Sequence, residues 1–453
     1  MDNDLELEPI VLDYGMEDAS FDWFDPELER ELLEEDRRSC VAGSLSSIQH
    51  NVLISIAFAL IQRLIVTQGF LGKYLTHGIV SLLGVALLYE WNLPLPVVSA
   101  VALSATVVTV SLRYPGRFRE QIGYFVTISA LFSLAALELS NSGSEFSSYR
   151  GVIMILAMKM SSVAFDISDG DPLEHPLVIL SYFLNPATIL FGPAIPLRVY
   201  RTSLGFKGSK SEFSLLIWAA LSLGVSLSCM LVSSCFTELY FPSVGLARNF
   251  ADAQSFRFSH YFISFWSYGL SCAAGMSFSS IVSPFKVEIP RSLTEVVTVW
   301  NVPMHQYLFK YVYSRTRHLG SSVGILSTFA VSSLFHGLNG QLSAVLLSLG
   351  FLSWAENRLR NRLSHRLSLC CRSRECSVGC GHAHSGQSLR GFTVNLLWTC
   401  LAVYHLIYLG MPWNHEMSIH PGSSLRHALS VWKSHHFASH ILGLFTALLS
   451  FCL

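Results

Sequence analysis

An all-helical protein that crosses a lipid bilayer many times is the fold class this sequence predicts, and three observations predict it. Of 453 residues, 51% are hydrophobic and only 13% carry charge, a balance too apolar for an ordinary soluble domain. Mean hydropathy is +0.44. Apolar windows recur near residues 52–67, 78–91, 93–112, 123–139, 151–165, 177–192, 215–236, 258–277, 296–313, 322–336, 342–355, 391–410 and 437–453. A simple span needs about 20 apolar residues, so the expectation is about ten to twelve crossings. The shorter windows predict broken or re-entrant helices, which survive only where protein or a water-filled cavity shields the backbone. No internal repeat is visible, so an inverted-repeat transporter is not signalled.

Taken in order, the chain opens on an acidic head. The formal net charge is only -1, yet about half of the 31 acidic residues fall between Asp2 and Asp36. Residues 1–45 therefore read as a solvated, largely disordered tail, with a short helix near Pro26 to Arg37. Residues 46–453 form the multi-pass domain. Met1 is not followed by a basic n-region, so the first apolar span, from Val52, is expected to act as the signal anchor.

Arginine placement sets the orientation. The loop 357–390 holds Arg358, Arg360, Arg362, Arg366, Arg372, Arg374 and Arg390, which marks it as cytoplasmic. Pro412 to His436 then lie on the opposite side, and the last window returns the chain to the cytoplasm. Arg198, Arg201, Lys207 and Lys210 mark a second cytoplasmic loop. Cys229, Cys235, Cys272, Cys400 and Cys452 are scattered through apolar spans, where a thiol is expected to act as a small hydrophobe outside any disulfide framework. The arginine-rich loop is different. Its Cys371-x4-Cys376-x3-Cys380-x-His382-x-His384 run, with Cys370 beside it, offers the thiolate and imidazole ligands of structural zinc. Juxtamembrane palmitoylation is the other reading of those cysteines.

Four segments carry chemistry. Leu334-Phe335-His336-Gly337 puts a titratable ring between two apolar runs, and an ionisable group at that depth is a functional candidate by default. Val287 to Asn301 is a polar stretch in which Pro290 suits a helix start and Arg291 and Glu295 stand four apart, able to pair. Lys159 and Asp166, seven apart, share a helix face, with mutual neutralisation and headgroup binding both open. Ser255 to Tyr261 is a polar and aromatic cluster whose simplest role is an interfacial anchor. Asn185-Pro186 and Phe191-Gly192-Pro193 should interrupt any helix from 177 to 200.

The run Glu295-Val296-Val297-Thr298-Val299-Trp300-Asn301, followed by Leu334-Phe335-His336-Gly337, resembles the paired Asn and His signature of the membrane-bound O-acyltransferases. Val287 to Ser292, Trp300 to Met304, Leu342 to Leu349, Met158-Lys159 with Phe165-Asp166, Phe191-Gly192-Pro193 and the Cys/His loop extend the likeness over residues 150 to 410. The resemblance implies helices around a central tunnel with His336 near its middle as general base. Asn301 is implied as the second catalytic residue, orienting or stabilising the reacting groups. Trp300, Arg291, Glu295, Ser259 and Tyr261 are the expected substrate contacts, and no metal is expected at the catalytic site. The implied reaction uses palmitoleoyl-CoA as donor substrate, no cofactor, and a serine of a Wnt protein as acceptor, in the endoplasmic reticulum membrane. No nucleic-acid partner is expected, and the sequence leaves the oligomeric state open. The competing readings are an acyltransferase of the same superfamily acting on a lysophospholipid, a sterol or another peptide, and a transporter or channel lined by His336, Asn301 and Lys159.

Overall fold

A computed structural model of the chain describes residues 26–68, 71–93, 121–141, 143–203, 212–241, 245–278, 280–377, 379–413 and 425–453. Among the described residues the regular elements are helical, apart from one isolated β-bridge between Leu369 and His384. All but the first residue of the apolar window 93–112, together with Lys207, Lys210 and the first 25 residues of the acidic head, lie outside the described residues.

The short helix expected at Pro26 proves to be the start of a 43-residue helix, α1 (Pro26–Gln68), continuous with the first apolar window. Then come α2 (Lys73–Glu90), α3 (Ile122–Ser140) and α4 (Gly143–Ser168). Five helices are long and apolar enough to span a bilayer among the described residues: Arg30–Thr67, Ile122–Ser140, Glu145–Ser168, Phe213–Phe236 and Leu389–Trp413. A sixth results if Leu425–Ser434 and Ala438–Cys452, bent by 82°, count as one span. This is a multi-pass membrane protein. Several other windows fall on short or interrupted helices.

The clearest interruption follows α5 (Pro176–Phe183), where the chain leaves the helix at Leu184 and resumes only at α6 (Leu197–Ser203). Asn185-Pro186 and the cis Gly192-Pro193 bond occupy the gap. Its side chains, including Ala187, Ile189 and Leu190, are buried in the main apolar core, so the irregular backbone is shielded as the bilayer requires. Lys159 and Asp166 do not neutralise each other. Lys159, fully buried, donates Nζ–H bonds to the Tyr182 carbonyl (2.9 Å) and Thr188 Oγ1 (2.8 Å). Asp166 accepts from Lys310 Nζ (2.6 Å) and the Tyr311 hydroxyl (2.7 Å). A shared helix face gave the two residues a common direction, but the elements packed there supply a different partner to each.

Next, α7 (Glu212–Leu231) continues through a π-helical turn, Val232–Phe236, and packs along α8 (Gly245–Ala273). Cys235 lies in that turn and is disulfide-bonded to Cys40 of α1 across 195 residues, which corrects the reading of Cys235 as a simple hydrophobe. The bond lies at the end of the molecule away from the arginine-rich loop. Ser233 is hydrogen-bonded to Ser255, and the neighbouring Phe256 stacks on Trp413 at 4.2 Å, beyond the far end of α14 (Leu389–Gly410). The 22 residues of α14 cover about 33 Å at 1.5 Å per residue. Disulfides persist in oxidising compartments, so the bond and the positive charge of the loop assign opposite faces consistently.

At the loop end, α13 (Gly340–Arg366) carries a buried ion pair. Arg360 Nη1 lies 2.9 Å from Glu356 Oε1, with side-chain exposures of 0% and 6%. The guanidinium has five N–H donors, and each meets an acceptor: the carbonyls of Cys371 (2.7 Å), Arg291 (2.7 Å) and Arg372 (3.2 Å), Asn395 Oδ1 (3.0 Å) and Glu356. Glu356 Oε2 accepts from the Leu293 N–H at 2.8 Å. The pair thus ties α13, α14, the loop and the segment entering the next site together.

Removing one partner of a buried pair leaves an uncompensated charge, so Glu356→Ala is expected to cost about 3–5 kcal/mol. Thermal unfolding in detergent measures it. The control Arg38→Ala, at the exposed Arg38–Glu34 pair, should leave the midpoint unchanged. Equal midpoints for the two variants would remove the structural role given to Glu356.

Candidate active site

The site is built where four short elements meet: α9 (Pro284–Glu288), α10 (Leu293–Trp300), α11 (Val302–Leu308) and α12 (Ser321–Phe335). Pro290 lies in the link between α9 and α10, not in the first turn of a helix; Pro284 and Pro303 hold that position. Ser292 caps α10, its Oγ accepting from the Glu295 N–H at 3.1 Å. The expected Arg291–Glu295 ion pair is replaced by other contacts. Arg291 donates to the carbonyls of Arg372 (3.1 Å) and Cys370 (3.2 Å). Glu295 accepts from the Arg291 backbone N–H (2.9 Å) and stands 3.5 Å from Lys286 Nζ. Both residues lie among the contacts that seat α10 on the loop.

Trp300 ends α10 and Asn301 begins α11. The break is local chemistry: Asn301 is extended (φ -144°, ψ 90°), and its Oδ1 accepts from the Met304 N–H at 3.1 Å while Pro303 occupies the first turn. Asparagine is among the best N-caps because its short carbonyl reaches that orphan donor. With the oxygen engaged, the groups left for a ligand are the two amide hydrogens of Nδ2.

His336 closes α12. Its own N–H bonds the Ser333 carbonyl (3.1 Å) and Gly337 N–H bonds Leu334 (3.0 Å), with Gly337 at φ +87°. Glycine is the usual residue for this left-handed helix end, and a Cβ here would also strike the Glu138 carboxylate. Glu138 in turn accepts from the Leu338 N–H. Asn339 then caps α13 through the Leu342 N–H (2.9 Å). The histidine therefore stands at a corner between two helices. Gln341, in the first turn of α13, donates to the Pro412 carbonyl at 2.9 Å, so the corner that holds His336 lies at the end of α13 away from the arginine-rich loop.

His336 and Asn301 line one cavity of about 390 Å³ with Trp300, Ser259, His260 and Arg257. Its remaining wall is largely aliphatic, including Leu342, Val345, Leu346 and Leu349. A second cavity of about 570 Å³ opens on the loop side and is lined by Arg372, Arg374, Asn357, Asn361 and His382. Val297, His305, Thr328 and Phe329 line both. The two cavities share a wall.

The Ser255-to-Tyr261 cluster, read as an interfacial anchor, is an interior wall instead. His260 stacks on Trp300 (4.2 Å, 5° between planes) and donates Nε2–H to the Trp300 carbonyl at 2.8 Å. Arg257 and Tyr261, both buried, bond Glu288 Oε1 at 3.0 and 2.7 Å. Ser259 lines the cavity, whereas Tyr261 braces α8 against α9 behind it. His260, Arg257 and His305 were missed as site residues. An aromatic-basic run has the same composition at a headgroup and in a cavity wall, and only the partners distinguish them.

A family profile described as MBOAT, membrane-bound O-acyltransferase family, matches residues 172–365, which include Asn301 and His336. The human protein-serine O-palmitoleoyltransferase porcupine is 30% identical over 449 residues, covering 91% of this chain and 96% of that protein. The mouse protein of the same name is 32% identical over 427 residues, covering 86% and 90%. That of Anopheles gambiae is 30% identical over 474, covering 92% and 94%. The likeness thus extends well beyond the stretch from 150 to 410 in which the motifs lie. Carrying the Asn301 and His336 segments inside the matched region, the chain belongs to the membrane-bound O-acyltransferase family and is an acyltransferase.

Proposed function

We propose that the protein transfers a palmitoleoyl group from palmitoleoyl-CoA to a serine hydroxyl of a Wnt protein, in the endoplasmic reticulum membrane. The observation that carries this reading is the pair of adjoining cavities. The loop-side one presents Arg372 and Arg374, suited to the phosphates of CoA. The other presents an aliphatic wall with His336 and Asn301, suited to an acyl chain and its thioester. CoA is cytoplasmic and a secreted serine is lumenal, so a site reached from two faces is what the reaction needs.

In the proposed step, His336 takes the serine O–H proton as the oxygen attacks the thioester carbon. General-base assistance of this kind is worth about 10²–10⁴-fold. The oxyanion formed is met by the Nδ2 hydrogens of Asn301, the only donors that its cap leaves free. Collapse expels the CoA thiolate, which takes up the proton from His336. The acyl group passes directly between substrates with no acyl-enzyme, and no cofactor takes part. His260 and Trp300, stacked and hydrogen-bonded to each other, hold the wall from which Asn301 projects.

Purified protein in nanodiscs should acylate a disulfide-bonded Wnt peptide, and His336→Ala should lower kcat by roughly 10²–10⁴-fold without lowering the unfolding temperature. Asn301→Asp separates catalysis from folding. The carboxylate keeps the cap acceptor but loses the donor, so kcat should fall about 10²–10³-fold at unchanged stability. Undiminished transfer by folded His336→Ala would end its assignment as base. Transfer to lysolipid or sterol but not to peptide would replace the acceptor, and solute flux without transfer would replace the reaction.

The loop cavity makes a separate prediction. Replacing Arg374 by glutamine should raise KM for acyl-CoA about tenfold, the scale of one charge-assisted hydrogen bond, and replacing Arg372 as well should raise it further, with kcat little changed. An unchanged KM would show that CoA binds elsewhere.

A further inference from the structure

The cysteines and histidines of the arginine-rich loop do not all gather. Cys371 is buried with its sulfur toward the Arg360 carbonyl (3.8 Å). His384 turns to Arg390, Nη1 lying 3.4 Å from Nε2. The other four converge: Cys370, Cys376, Cys380 and His382 place one ligand atom each within 4.8 Å of all the others. Cys370 Sγ is 3.1 Å from Cys380 Sγ and 3.4 Å from His382 Nδ1, and Cys376 Sγ is 3.7 Å from the same nitrogen. A tetrahedral zinc with bonds of 2.3 Å to sulfur and 2.0–2.1 Å to nitrogen sets its ligand atoms about 3.5–3.8 Å apart.

A second observation points the same way. The other ring nitrogen of His382, Nε2, lies 3.0 Å from Ser364 Oγ, and that hydroxyl donates its own proton to the Leu369 carbonyl at 2.7 Å. Ser364 can therefore only accept from His382. The proton is fixed on Nε2, and the Nδ1 lone pair is turned toward three sulfurs. Metal-bound histidines are oriented in this way by a partner on the far nitrogen.

We propose that Cys370, Cys376, Cys380 and His382 hold one Zn²⁺ as a closed, four-ligand structural site. Three thiolates and one imidazole complete the tetrahedron, so no position remains for a water or a substrate. The ion bridges the end of α13 to the returning loop, and Arg372 and Arg374 stand between its first two ligands. Arg374, Glu375, Cys376, Cys380 and His382 all line the loop-side cavity, so the ion shapes that mouth. Palmitoylation fits less well, since Cys370 is 5% exposed and its sulfur faces Cys380, with no course for an acyl chain.

Metal analysis by mass spectrometry on the full-length protein in detergent should find about one zinc per chain. Cys380→Ser and His382→Ala should lose it, while Cys371→Ser and His384→Ala keep it. Because ligand variants can fail to fold, cobalt exchange into wild-type protein gives an independent readout: tetrahedral thiolate-to-cobalt absorption is expected. Wild-type protein with zinc at background and no such absorption would overturn the site. So would an acyl thioester on Cys376 or Cys380, or a Cys370–Cys380 disulfide, found by peptide mapping. Loss of zinc in Cys371→Ser as fully as in His382→Ala would overturn this ligand set.

Discussion

Arg360 is the residue on which the arrangement of this molecule depends. A guanidinium without exposure to water is tolerated only when its donors are satisfied and its charge is opposed, and Arg360 meets both conditions through five acceptors on four segments. Satisfying the arginine forces the loop backbone at Cys371 and Arg372, the carbonyl of Arg291 and the amide of Asn395 into one place. Glu356 then fixes the N–H of Leu293, the first residue of α10. The eight residues of α10 span only about 12 Å, and they end at Trp300 and Asn301. A constraint applied at the charged end therefore sets the position of the amide at the other. The aromatic stack of Trp300, Phe256 and Trp413 holds that far end against α14.

How much of this the sequence discloses depends on whether a feature is local. Asn301 with Pro303, and His336 with Gly337, are helix punctuation as well as chemistry, so the same residues that carry the family resemblance also create the corners at which they stand. The bends after α5 were legible for the same reason, since proline and glycine act on their own backbone. Partners were not. Lys159 and Asp166 share a helix face, yet the face does not say what packs against it. Arg291 and Glu295 have the right spacing to pair, but the carbonyls of Arg372 and Cys370 compete for the guanidinium. Arg360 read as one more charge of a cytoplasmic loop, because positive-inside bias counts arginines without distinguishing a solvated one from a buried one. The Cys40–Cys235 bond joins residues 195 apart, a separation at which neither spacing nor hydropathy carries information.

The two ends of the molecule differ chemically in a way that orders the proposed reaction. One end carries the disulfide, and the other carries clustered thiols with the arginines of the loop, as expected for an oxidising and a reducing face. His336 and the capping Asn339 lie at the Pro412 end, one turn of α13 from the contact that joins it to the end of α14. On the proposed reading, an acceptor serine needs to enter only a short way, whereas the acyl thioester must travel past Val297, Thr328 and Phe329 to meet it. That asymmetry suits the two substrates, since a long flexible pantetheine arm can cross such a wall and a folded protein cannot.

The proposed reaction has an evident hazard, because water is a competing nucleophile for the same thioester. The aliphatic part of the cavity wall opposes it. Leu342, Val345, Leu346 and Leu349 come from the first turns of α13, the helix that begins four residues after His336, and their side chains present no hydrogen-bonding group to hold a water on that wall. On the same proposal, a drier site would strengthen the interaction of the Asn301 donors with a developing oxyanion, since electrostatic contacts gain as the local dielectric falls. The helix that carries Arg360 at its loop end thus supplies the apolar wall at its other end, and one element both anchors the site and, on the proposed reading, protects its reaction.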